Sequence, residues 1–124
     1  MSSVEVKSVD EDQIRQCVDD YAAMLLSSRP EVMEVVVFGS FVTKTFVPGS
    51  DVDIFILLSD SDKSVRDRIP DFMPPHFPVC VDIFPYTARE AAAMEDSPII
   101  EAMHLSPWRY RRLPKGRQSP APSE

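Results

Sequence analysis

Cysteine is scarce in this 124-residue chain, with Cys17 and Cys80 the only two. A pair so far apart, each within an apolar pattern, argues against a disulfide framework and reads as two reduced core residues, which makes the cytoplasm the expected compartment. Histidine is equally scarce. Neither His76 nor His104 has a second histidine or a cysteine at metal-ligand spacing, so both read as structural or solvent-exposed. No apolar run approaches the roughly 18 residues of a membrane span, and the N-terminal MSSVEVKSVDED lacks the basic start and apolar segment of a signal peptide. Internal repeats are absent. Positive charge is short in the body of the chain: residues 1–105 carry 8 Lys and Arg against 19 Asp and Glu, a net of −11, whereas residues 106–124 carry 5 against 1. An acidic body argues against a broad phosphate-tracking surface for nucleic acid, yet it is compatible with a single-nucleotide site balanced by metal ions.

What is present suffices for one domain with a modest core. Asp10, Glu11 and Asp12 put negative charge at the start of a helix predicted over about 11–27, where Ile14, Cys17, Val18, Tyr21, Met24 and Leu25 form one apolar stripe. Val35 to Phe38 and Ile54 to Leu58 are continuous apolar runs, as expected of strands buried on both faces, at about 34–38 and 51–58. Between them, Phe41 to Phe46 suggests a short helix and Pro48-Gly49-Ser50 a turn. Asp60, Ser61 and Asp62 offer caps for a polar helix or turn over about 62–69, closed by Pro70. The stretch from Pro70 to Pro78 holds four prolines. A third strand is expected over Val79–Phe84, ended by Pro85. Thr87 with Glu90 predicts a capped helix from Ala88 to about Met94, and Pro98 to His104 another.

The chemistry gathers in residues 35–58. Asp51 and Asp53 alternate on one strand, so both carboxylates point to one face, with Cα atoms roughly 6–7 Å apart. Asp82 is the only charge inside the third apolar strand, where an isolated carboxylate is costly without a donor or cation. Taken alone, Asp82 reads better as a turn cap or an arginine partner. Joined to Asp51 and Asp53 it makes three carboxylates from two strands, which points to a hard divalent ion, Mg²⁺ or Mn²⁺. Gly39-Ser40 lets the backbone approach a ligand and offers N–H groups and a hydroxyl to phosphate. By itself Gly-Ser is only a turn, and its meaning comes from the strand before it and the acidic pair after it.

Gly39-Ser40, the Asp51-Val52-Asp53 triplet that follows after ten intervening residues, and a later strand aspartate at Asp82 together resemble the signature of the polymerase-beta-like nucleotidyltransferase superfamily, specifically its minimal nucleotidyltransferases, over residues 12–105. The resemblance implies an α/β (α+β) fold with a short mixed central sheet flanked by helices. It implies transfer of a nucleoside monophosphate, AMP from ATP or its counterpart from another NTP, to an acceptor hydroxyl with release of pyrophosphate. Asp51 and Asp53 would ligate the metal ions on the triphosphate, Gly39 and Ser40 would hold its phosphates, and Asp82 would join the metal that activates the hydroxyl. The resemblance also implies acceptor binding by a partner, a second copy, or the short helices after Asp82. One such partner would be a helical protein of the higher-eukaryote-and-prokaryote nucleotide-binding (HEPN) type, the pair acting as toxin and antitoxin.

The chain departs from the family pattern directly after Ser40. Relatives commonly have a basic, a small and another basic residue and then a glycine, where Phe41, Val42, Thr43 and Lys44 stand here. Lys44 is the candidate replacement for the missing phosphate contact, and Phe41 reads as core before it reads as a base-stacking residue. A catalytically degenerate nucleotide-binding or partner-binding module is the alternative to an enzyme. An aminoglycoside-modifying enzyme is disfavoured because no acceptor-binding domain follows. The domain boundaries are expected at a flexible lead of residues 1–9, a nucleotidyltransferase domain of 10–106, and a basic, Pro-rich, disordered tail of 107–124. In that tail, Trp108-Arg109-Tyr110-Arg111-Arg112 suits either docking on the acidic body or a partner, which is favoured, or stacking on single-stranded nucleic acid.

Overall fold

In the computed structural model of the protein, residues 11–39, 42 and 51–112 are described. The apolar stripe of the first helix becomes the buried face of α1 (Glu11–Ser28), through Ile14, Val18, Tyr21, Ala22 and Leu25. Glu11 and Asp12 occupy its first turn, where they complement the helix dipole. A tight turn closed by Val32 N–H on Arg29 O (3.1 Å) leads into β1 (Val32–Phe38). The chain continues through β2 (Val52–Leu58), α2 (Val65–Phe72), β3 (Val81–Thr87), α3 (Ala88–Ala93), α4 (Pro98–Leu105) and β4 (Arg109–Arg111).

The four strands form one mixed sheet in the order β3-β2-β1-β4. β2 and β4 run antiparallel to β1, and β3 runs parallel to β2, with α2 in the crossover between them. This is the helix-flanked α+β arrangement expected. The central strands are buried on both faces, so they have no need of polar alternation. On one face Val35, Val37, Ile54, Ile56 and Ile83 pack against α1 and Phe72. On the other, Val36, Phe38 and Phe55 pack against Ile100 and Met103 of α4.

Several boundaries differ from expectation, for physical reasons. Ser64, not the Asp60 to Asp62 group, caps α2 by accepting from Asp67 N–H, and Pro70 lies inside the helix instead of closing it. β3 starts at Val81 and runs through Pro85. It can do so because β3 is an edge strand: Pro85 O is directed away from β2 and takes a bond from Arg68 (2.9 Å). The same residue's N–H position therefore also faces outward, and the imino nitrogen breaks no ladder bond. Thr87 and Glu90 form the expected capping box on α3. Both cysteines are free, but neither is in the core: Cys17 is half-buried and Cys80, just before the edge strand, is exposed. The expected helix over 41–46 lies outside the described residues except for Val42, whose N–H meets Gly39 O at 3.0 Å.

The boundary expected at residue 106 falls one strand short, because β4 pairs with β1 as Glu34↔Arg111, Val35↔Tyr110 and Val36↔Arg109. The aromatic and basic side chains of this segment are used internally. Arg15 lies over the Trp108 ring (4.1 Å), and Tyr110 donates to Asp19. Arg112 donates to the carbonyls of Leu26, Arg29 and Val32, closing the end of α1. Arg109 and Arg111 both reach Glu34 Oε2 (3.1 and 3.2 Å), a carboxylate side chain only 10% exposed that needs cations to compensate its burial. The lead of residues 1–9 and the tail from 113 onward lie outside the described residues. Truncation after Ser106 strips Glu34 of both arginines and β1 of a neighbour. Urea unfolding should show a loss of at least about 3 kcal/mol.

Candidate active site

Backbone register brings the acidic residues together. Antiparallel pairing sets Phe38 opposite Asp53, and parallel pairing sets Asp53 opposite Asp82. Side chains of directly paired residues share a face, so Asp53 lies between Phe38 on one strand and Asp82 on the other, with Phe55 following on its own strand. Phe84, two residues beyond Asp82 on that face, packs its ring 5.4 Å from that of Phe38. Asp51, just before β2, is exposed and lies near enough to Asp82 for its charge to act on that carboxyl.

This placement decides the electrostatics. Partial burial, then the charges of Asp82 and Asp51, push the Asp53 carboxyl up to about 6. Asp82 is also raised, by partial burial and then by Asp51. The expectation of Asp82 as a charge enclosed in an apolar strand is corrected: it is exposed, on the edge strand, and its neighbours are acidic.

Gly39 ends β1 at φ +87°, in the region that disfavours side chains. A Cβ at this position would run into Asp53 Oδ2 and stand 3.3 Å from its Cγ. The glycine therefore makes room for the carboxylate as well as for the turn. Ser40 and Lys44 lie outside the described residues. The structure thus brings together Gly39, Asp51, Asp53 and Asp82 of the six residues expected.

Among the described residues no three His, Cys, Asp or Glu side chains form a ready-made metal cage. Three neighbouring carboxylates, Asp51, Asp53 and Asp82, are nonetheless the donor set a hard divalent cation prefers, and such a cation would relieve their repulsion. The donor chemistry fits. Sequence reasoning missed the phenyl rings of Phe38, Phe55 and Phe84 as the wall beside Asp53. The apolar runs marked them as core, and only the strand register reveals which of them border the acid.

Two outcomes test this geometry. Because folding raises the Asp53 carboxyl from 3.8 to about 6, the folded state holds the proton more tightly and metal-free protein loses stability as pH rises through about 4 to 6. Asp53→Asn removes that loss. In EDTA its Tm should exceed wild type by about 3 °C at pH 7.5 and match it near pH 4. Gly39→Ala should lower stability by about 2–4 kcal/mol, and by distinctly less in an Asp53→Ala background, where the added Cβ no longer meets the carboxylate.

The chain matches the nucleotidyltransferase domain family over residues 20–106. No curated protein matches it significantly. It is similar in structure to a protein from Sulfolobus solfataricus described as a "putative nucleotidyltransferase", known from a crystal structure at 1.40 Å resolution. The two share 22% identity over 86% of this chain and 87% of the other, with a TM-score of 0.53, a likeness of fold. With the family match spanning most of the chain and the sheet carrying a glycine turn and paired aspartates in the expected order, the protein belongs to the nucleotidyltransferase domain family, of polymerase-beta-like type.

Proposed function

We propose that this protein is a metal-dependent nucleotidyltransferase that moves a nucleoside monophosphate, AMP from ATP, to an acceptor hydroxyl. The observation that carries the reading is the Asp53 and Asp82 pair, side by side on neighbouring strands next to the positive-φ turn at Gly39. In this reading Asp51 and Asp53 hold the Mg²⁺ or Mn²⁺ ions that ride with the triphosphate, and Asp82 holds the acceptor side. Bound there, the ions would supply charge neutralisation of the phosphates and a lower pKa for the attacking hydroxyl. The Gly39 turn with Ser40 and Lys44 receives the phosphates. Phe38, Phe55 and Phe84 lie on the same sheet face as Asp53, and the partial burial of that carboxylate would strengthen charge interactions there. The acceptor oxygen bonds to the α-phosphorus, the bond from that phosphorus to the bridging oxygen breaks, and pyrophosphate leaves with the electron pair. Asp82, exposed on the edge strand, takes up the acceptor's proton.

The acceptor surface belongs to a partner in this reading, either a second copy or a HEPN-type helical protein for which this chain acts as antitoxin. A second reading, a nucleotide-binding or partner-binding module without turnover, is favoured by Phe41 and Thr43 standing where relatives carry basic residues.

Thermal shift tests nucleotide binding: ATP and Mg²⁺ together should raise Tm by more than the sum of their separate effects, a failure of every nucleotide to raise it supports a partner-binding module, and a rise without any transfer supports a nucleotide-binding one. With labelled ATP and a cell lysate, wild-type protein should label an acceptor. Asp51→Asn or Asp53→Asn should reduce that labelling by about 100-fold or more while leaving the circular dichroism spectrum intact. Labelling at the wild-type level in either variant overturns the assignment.

A further inference from the structure

Arg68 is the one buried cation among the described residues, 3% exposed, and the chemistry above makes no use of it. Its guanidinium donates from Nε to Lys63 O (2.9 Å) and from Nη1 to Pro85 O (2.9 Å). Nη1 and Nη2 also reach the two carboxylate oxygens of Glu90 (2.7 and 2.9 Å). Glu90 in turn accepts from Thr87 N–H (2.9 Å) at the start of α3. The Arg68 hydrogen bond holds the Glu90 carboxyl down at about 2, and the charged pair persists across the physiological range. One side chain thus ties the entry of α2, the outer edge of β3 and the cap of α3 into a single unit.

The strand it clamps is the one that carries Asp82. β3 pairs on one side only, and pairing begins at Val52↔Val81, a single residue before the Asp53↔Asp82 pair. The ladder at that end is therefore thin, with Val52 N–H on Cys80 O (2.9 Å) as its outermost bond. Asp82 meanwhile faces two acids, so its charge favours separation of β3 from β2. Pro85, three residues on, is where the outer edge of the strand is anchored from outside the sheet. Only a planar fork with several donors can serve a carbonyl and both oxygens of a carboxylate at once, a task a lysine ammonium performs poorly.

We propose that Arg68 is a positioning residue for Asp82. Its clamp on Pro85 and Glu90 holds the β3 register that keeps Asp82 beside Asp53 against carboxylate repulsion. The link from Asp82 to metal rests on the nucleotidyltransferase reading above, whereas the link from Arg68 to the β3 register does not.

The test compares Arg68→Lys and Glu90→Gln with Arg112→Ala, a control that removes three hydrogen bonds from the other end of the sheet. Amide hydrogen exchange is read at Asp82 and Phe84, against Val35 and Val37 of β1. In either clamp variant, exchange at the β3 amides should speed by about tenfold relative to the β1 amides, and in the control the ratio should stay at the wild-type value. Mn²⁺ binding in the presence of ATP, read by electron paramagnetic resonance, should weaken at least fivefold in the clamp variants and stay unchanged in the control. If both clamp variants lose protection evenly over β1 and β3, or keep wild-type Mn²⁺ affinity with β3 loosened, Arg68 is merely structural and the proposal is overturned. If wild-type protein binds no Mn²⁺ with ATP, the functional reading fails, and the exchange ratio alone still decides whether Arg68 holds β3.

Discussion

Like charges held side by side by a hydrogen-bonded ladder are the constraint around which this molecule is arranged. The parallel register of β2 and β3 puts Asp53 against Asp82, and Asp51 adds a third carboxylate at the mouth. Left to themselves these groups would separate or take up protons, and the proton affinity of Asp53 and Asp82 is raised by burial first and by the neighbouring carboxylates second. A scaffold that keeps them together must be stiff. The stiffness comes from two central strands buried on both faces, with Val35, Val36, Val37, Ile54, Phe55 and Ile56 all fully buried.

The same packing explains why the acids are exposed at one end and desolvated on one side. Asp53 continues the face that carries Phe55, so its neighbours on the strands are phenyl rings as well as carboxylates. At Gly39 the missing Cβ is a spatial requirement of Asp53, which links the glycine turn and the acidic strand sterically before any ligand arrives. The glycine and the aspartates are therefore one structural unit.

Away from the site, arginines carry much of the tertiary order. Arg112 closes α1, Arg109 and Arg111 compensate the buried Glu34, and Arg68 binds the outer edge of β3 to Glu90. In a chain with a strong excess of acids these cations act as internal staples. That is why the Trp-Arg-Tyr-Arg-Arg segment completes the sheet, with each of its side chains engaged within the fold.

Much of this was legible from residue order alone. The apolar runs at 35–38 and 54–58 could only be central strands, the stripe of α1 named its own buried face, and Thr87 with Glu90 announced α3, because each signal is local and repeats with the period of its element. The alternation of Asp51 and Asp53 likewise placed two carboxylates on one face before any fold was known. What depended on tertiary structure were the pairings between distant segments. Asp82 could be tied to Asp53 by sequence only as a lone charge in an apolar strand and through resemblance, and whether it was enclosed or exposed followed from β3 lying at the sheet edge. The same edge position let the strand run through Pro85, and the role of Glu90 as the carboxylate for a buried Arg68, 22 residues away, left no periodic trace. Backbone periodicity is written residue by residue. Strand order, register and the partner of a lone buried charge are settled only when the chain closes on itself.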